Sequence, residues 1–179
     1  VNLNAEVTIT ISFLEALWGA ERTLSVNNER VQVRIPSGVK PGNRLRLKGK
    51  GNSQPGTGLR GDLFLVVEIQ NHLVWKIHGN QIRADLPVSL DELVLGGRIA
   101  IQIPDGEAEI VIPAGTDPGS NLRLKGKGWP EKNGLGDLIL TLTLKFPPEW
   151  TPEEFDLLER LRSTRSYNPR KIWIDSARL

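Results

Sequence analysis

The sequence predicts a mainly β protein: two tandem domains of the same β-sandwich- or barrel-like fold, each with a short helix, and then a C-terminal helix. Three observations lead there. A long motif occurs twice in the same order. Apolar residues alternate with polar ones over short runs, and glycine, proline, asparagine and aspartate break those runs.

Ile35-Pro36-Ser37-Gly38-Val39-Lys40-Pro41-Gly42 is followed by Leu45-Arg46-Leu47-Lys48-Gly49-Lys50-Gly51. Both segments return 77 residues on, as Ile112-Pro113-Ala114-Gly115-Thr116-Asp117-Pro118-Gly119 and Leu122-Arg123-Leu124-Lys125-Gly126-Lys127-Gly128. The same offset matches Ile11–Gly19 to Val88–Gly96. Gly61-Asp62-Leu63 recurs as Gly136-Asp137-Leu138 after a slightly shorter loop. The predicted divisions are 1–76, 77–148 and a 149–179 segment holding the last helix and tail, with the copies joining around Asn71 to Gly79.

Within each copy, period-two alternation puts one apolar row on one sheet face. Val7, Ile9 and Ile11 form such a row, as do Val31, Val33 and Ile35, then Ile99, Ile101 and Ile103, and finally Leu138, Leu140, Leu142 and Leu144. Asn27-Asn28 and Asp105-Gly106 stand where hairpin turns require tolerance of positive φ. Ser12-x-x-Glu15 and Ser89-x-x-Glu92 fit capping boxes, and Gly19 and Gly96 suit the left-handed position that ends a helix of about two turns. A longer helix starts from Thr151 with Pro152 and Glu154, lining up Phe155, Leu158 and Leu161. Ser163 to Leu179 shows no periodicity, which reads as a mobile tail or one docked on a partner chain.

The 179 residues include no cysteine and carry a net charge of +2. That excludes a disulfide framework and thiolate zinc sites. No apolar run approaches the roughly 18 residues of a membrane span, and no charged-then-apolar leader opens the chain. A start at Val1 and the lack of methionine read as an excised fragment. The spacing of His72 and His78 does not suit a helical metal pair, and there is no G-x-S-x-G elbow. The Lys-Gly-Lys-Gly runs lack the Gly-Lys-Ser/Thr ending of a phosphate loop. Asp62 and Asp137, each just before an apolar strand, read as turn caps. No catalytic centre, metal site or cofactor is expected.

The order of these elements resembles the substrate-binding region of the DnaJ family of J-domain co-chaperones. The Pro-Gly, Leu-Arg-Leu-Lys-Gly-Lys-Gly and Gly-Asp-Leu blocks, twice over, carry the resemblance across roughly residues 3–162. It implies a homodimer of two β-sandwich-like domains per chain, dimerising through Phe155, Leu158 and Leu161. It implies a cytoplasmic module that holds unfolded polypeptides for a DnaK-type chaperone, without nucleic acid or membrane. One class of the family inserts a cysteine-rich zinc module in the first domain. Here only the Val26–Val31 hairpin stands there, so the chain looks like the zinc-free class. The His-Pro-Asp signature of the J-domain is absent from these residues, leaving ATPase stimulation outside them.

Carried over residue by residue, the resemblance implies a peptide groove of Val7 and Ile9, Leu24 and Val26, and Leu65. Ala84, Leu86, Ile101, Ile103 and Leu140 stand at matching places in the second copy. Arg22, Arg46 and Lys48 would flank the first groove and receive the acidic tail of the partner. The bland alternative is that all five groove residues are core. Rival functions are nucleic-acid binding through the basic runs, where only Trp129 could stack on a base, and carbohydrate binding by the five tryptophans.

Overall fold

A computed structural model describes all residues, Val1–Leu179. The chain divides into a compact unit Val1–Lys145 and a second unit Phe146–Leu179. The first repeat runs β1 (Ala5–Ile11), α1 (Phe13–Trp18), β2 (Ala20–Val26), β3 (Glu29–Ile35), β4 (Arg44–Leu47) and β5 (Leu63–Ile69). The connector carries β6 (Lys76–His78). The second repeat runs β7 (Gln81–Val88), α2 (Leu90–Leu95), β8 (Gly97–Ile103), β9 (Gly106–Ile112), β10 (Asn121–Leu124), β11 (Pro130–Glu131), β12 (Gly134–Leu135) and β13 (Leu138–Leu144).

The duplication in sequence is a duplication in topology. In the first repeat β1 pairs parallel with β5, and β4 pairs antiparallel on its other side. In the second, β7, β13 and β10 repeat that arrangement. A separate ribbon accompanies each sheet, β2–β3 and β8–β9. The sheets remain open and none closes into a barrel.

Local chemistry accounts for the elements. In α1 the Ser12 hydroxyl accepts from the Glu15 amide at 3.1 Å, and the Glu15 carboxylate accepts from the Ser12 amide at 3.1 Å. Ser89 and Glu92 repeat the box in α2. The glycines ending these helices have positive φ but extended ψ (82°, 163° at Gly19; 73°, −173° at Gly96), a region essentially reserved for glycine. This differs from the left-handed cap expected from sequence, because the chain passes straight into a strand. Asn27 and Asn28, at φ 51° and 61°, make the first hairpin turn. The second turn falls one residue earlier than expected. Ile103 pairs with Gly106, so Pro104 and Asp105 form the turn.

One hydrophobic cluster joins the repeats, running from Ile9, Ile11 and Phe13 through Leu63, Leu65 and Val67 to Ile82, Trp129, Leu138 and Leu140. Trp129 stands in the second repeat where the first has Asn52, and it is fully buried. Its indole N–H donates to the Gly38 carbonyl at 3.0 Å, and its ring meets Phe13 edge-on at 5.4 Å. Lys40 and Glu131 sit 3.8 Å apart nearby.

In the second unit, α3 (Pro152–Thr164) has the Thr151–Glu154 capping box that its sequence announces. Beyond it lies α4 (Lys171–Ala177), where the sequence shows no periodicity. This helix has no side-chain cap and no buried residue.

Candidate peptide-binding groove

The site is built from two unpaired strand edges. Bonds from the Ala5 amide to the Asp62 carbonyl (2.9 Å) and from the Gln70 amide to the Ile11 carbonyl (2.8 Å) show that odd-numbered residues of β1 face β5. The backbone groups of Glu6, Thr8 and Thr10 therefore turn outward, because alternate residues of a parallel strand address opposite neighbours. In β2 the two-residue turn closes on Val26 and Glu29, so Leu24 and Arg22 exchange bonds with β3. Glu21, Thr23 and Ser25 are left with outward amides and carbonyls. The edges meet at one end through Arg22, whose Nη2 donates to the Thr10 carbonyl at 3.2 Å. At the other end Glu29 holds Lys50 and Arg60 (3.1 and 2.8 Å). That loop also bonds to the segment leading into β1, through the Asn52 amide to the Leu3 carbonyl at 2.8 Å. The two strands belong to different sheets and do not pair with each other.

The five groove residues expected from sequence separate into walls and floor. Val7, Leu65 and Leu45 are in register across the first sheet. Leu65, on the central strand, is fully buried, whereas Val7, on the edge, is 42% exposed. Ile9 is buried at 5% exposure. On β2 the inward row Ala20, Arg22, Leu24 and Val26 is half-buried throughout, in contrast to the buried Val31, Val33 and Ile35 of β3. Val7, Leu24 and Val26 are the residues that reach solvent; Ile9 and Leu65 lie in the core behind them.

The second repeat does not present the same edge. β6 pairs with Gln81–Arg83 of β7. The Ile82 amide bonds to the Asp137 carbonyl, so even residues face β13 and odd ones face outward. Gln81 and Arg83 are occupied by β6, and Pro87 has no N–H. Asp85 alone keeps a free pair of backbone groups. Ala84, Ile103 and Leu140 are buried, and Leu86 and Ile101 half-buried.

Two of the three basic residues expected to flank the groove already hold carboxylates. Arg22 grips Glu15 with two bonds, Nε to Oε2 at 2.7 Å and Nη2 to Oε1 at 2.9 Å. That contact, with the Ser12 amide, holds the Glu15 carboxyl down at about 2, and Glu15 in turn raises the Arg22 pKa. Arg46 donates to Asp62 at 2.7 Å, while Lys48 is exposed and has no carboxylate partner.

Because folding depresses the Glu15 pKa, its contribution is full above the ordinary 4.5 and disappears as pH falls through about 2. The pair is partly solvent-exposed, so its expected worth is about 0.5–1 kcal/mol. Glu15→Gln should therefore lower Tm by about 2–4 °C at pH 6, and the gap to wild type should close by pH 2. Thermal unfolding at both pH values checks this; an equal gap at pH 2 contradicts it.

The motif glycines and aspartates have a structural role. The Asp62 carboxylate accepts from the Gly49 amide at 2.8 Å, and Asp137 accepts from Gly126 at 3.0 Å. The Gly49 amide, with Arg46, draws the Asp62 carboxyl below its usual range. A Cβ on Gly51 would lie 2.5 Å from the Asp62 carbonyl, so the run must pack flat against the Gly-Asp turn. The Gly49 and Gly126 amides are thus taken by the chain's own carboxylates, and those of Gly51 and Gly128 by the Gly61 and Gly136 carbonyls, so none of these four is free to cradle a phosphate. His72 accepts the Val74 and Trp75 amides on Nδ1 (3.0 and 3.2 Å), which makes it a turn residue. Trp129, the one aromatic beside a basic run, is buried and cannot stack on a base. Sequence reasoning did not reveal this inter-repeat role. The only available signal was that Trp129 replaces Asn52 in an otherwise matched motif.

The geometry defines a twice-repeated open β scaffold whose first repeat leaves the outer edges of β1 and β2 unpaired. The family model for the DnaJ C terminal domain matches residues 5–147, and the chain belongs to that family. It is 39% identical to a DnaJ-like protein of Synechocystis over 93% of this chain and 50% of that protein. It is also 39% identical to chaperone protein DnaJ 2 of Thermus thermophilus, over 89% of this chain and 55% of that one. A curved DNA-binding protein of Escherichia fergusonii is 32% identical over 94% of this chain and 60% of its own length. The chain thus spans about half the length of the first two relatives. In agreement with the zinc-free class, β2 and β3 are joined directly by the two-residue turn.

Proposed function

We propose that this chain is the client-holding region of a DnaJ-type co-chaperone, without catalytic activity of its own. Segments of unfolded polypeptide add as an extended strand between β1 and β2 of the first repeat. The observation that carries this reading is the pair of free edges beside the solvent-reaching Val7, Leu24 and Val26. Backbone bonds accept any sequence, while the apolar wall selects for exposed hydrophobic side chains. Each buried side chain contributes roughly 1.5–3 kcal/mol before ordering costs, so a few contacts give weak, exchangeable binding. That suits delivery to a DnaK-type chaperone. Lys48 is the residue free to attract that partner's acidic tail; at Arg22 or Arg46 the tail would have to displace Glu15 or Asp62. Phe155 and Leu161 are exposed on α3, and Leu158 is half-buried there. This unpartnered apolar stripe supports pairing of two copies.

The test is suppression of aggregation of a chemically unfolded protein. Val7→Ser with Leu24→Ser should weaken holding by at least about tenfold, with circular dichroism unchanged. Leu65→Ser should instead unfold the domain. Undiminished holding by the double variant would remove the groove assignment. DNA binding is a second reading, favoured by the similarity to two curved DNA-binding proteins. It requires duplex DNA to displace client with a steep salt dependence.

A further inference from the structure

We infer that Arg22 is a register stop that closes one end of the groove and decides which client side chain faces the apolar wall. The inference rests on the strand-addition reading above. Arg22 interrupts the inward row of β2, between Ala20 and Leu24. Glu15 pins its guanidinium through two bonds, and the remaining reach takes the Thr10 carbonyl, the last outward carbonyl of β1. A client strand that slides past Leu24 would bring an apolar side chain onto a paired charge. It would also find the edge carbonyl occupied.

The second repeat shows that the fold does not need this crossbar. At the offset of the duplication, Ile99 stands in place of Arg22 and Pro87 in place of Thr10. Glu92, in place of Glu15, bonds only within its capping box to Ser89. The same sheet, ribbon and helix form around Ile99. The crossbar thus occurs only in the repeat whose first strand keeps its whole outer edge unpaired, since β6 covers part of β7.

The distance left open is short. From Arg22 to Val26 are four strand steps of about 3.3 Å, roughly 13 Å in all. A client would therefore seat one large apolar side chain against Val7, Leu24 and Val26, with a polar residue two positions along, over Arg22. Slippage by two residues keeps the same face inward, so it is the error that the stop must prevent.

Because the chain has no cysteine, disulfide trapping reads the register directly. Ser25→Cys, on the free edge, is offered an otherwise polar peptide with apolar residues at alternate positions and a single cysteine moved along it. Strand addition brings paired Cα atoms within disulfide range. With Arg22 present, one peptide position should trap about tenfold faster than those two residues away. Arg22→Ile, the residue the second repeat uses, should bring those positions to within about threefold. Glu15→Gln, which keeps an oxygen for the helix cap and loosens the guanidinium, should spread the register in the same direction. A single dominant position retained in both variants overturns the register stop and leaves strand addition standing. Trapping at no position in the Ser25→Cys protein overturns strand addition, and the stop with it.

Discussion

Trp129→Ala should destabilise the Val1–Lys145 unit by about 3–5 kcal/mol, the largest loss expected from any single truncation of this chain. The indole is fully buried and lies where the two repeats meet. Removing it leaves a cavity between Phe13 and the second repeat, and leaves the Gly38 carbonyl without its donor. Partial collapse cannot fill a space lined by elements of both repeats. Because this side chain couples them, the single calorimetric transition expected of wild type should fall by roughly 10 °C and separate into two. Trp129→Phe keeps most of the packing and loses the N–H bond, so it should cost only about 1–2 kcal/mol. A Trp129→Ala protein melting as one transition near the wild-type temperature would show that the repeats cohere without this contact.

Gly96→Ala should cost about 2–4 kcal/mol, although it adds a single methyl group at a helix end. Two independent penalties meet there. The backbone at φ 73° and ψ −173° lies where side chains are rarely tolerated, and an added Cβ would stand 2.6 Å from the Ile112 carbonyl and 2.7 Å from the Ala114 amide. Both are backbone atoms and cannot rotate away. Gly115→Ala separates the two penalties: its φ is +74°, but nothing lies within 4 Å of the new Cβ. That substitution should cost only about 1 kcal/mol. Denaturant unfolding of the two variants measures the difference, and equal costs would mean that close packing of α2 on β9 contributes nothing. Gly19, in the first repeat, would meet the Ile35 carbonyl at 2.9 Å, so the constraint is part of the duplicated design.

Most of the architecture was legible from residue order, because the signals are local. Two copies, the parity of their strands, the Ser-x-x-Glu helix starts and the Asn-Asn turn each follow from a few neighbouring residues. The family resemblance named Val7, Ile9, Leu24, Val26 and Leu65 together. Parity alone could not separate them, since the exposed and the buried members of such a row share a face. The difference arises from lateral position: Leu65 has strands on both sides, while Val7 and Leu24 stand on edges. Edge or centre is set by long-range pairing, to which the alternation of a single strand is blind. The same holds for the second repeat, whose sequence matches the first yet whose edge is taken by β6, a three-residue strand in the connector. It holds again for Trp129, which looks like a surface aromatic beside a basic run until the chain folds it against Phe13 and Gly38, more than ninety residues away in sequence. Local order specifies which elements form and which way their side chains alternate. Only the packing of distant segments selects the edge that stays open, because openness is a property of what fails to pair.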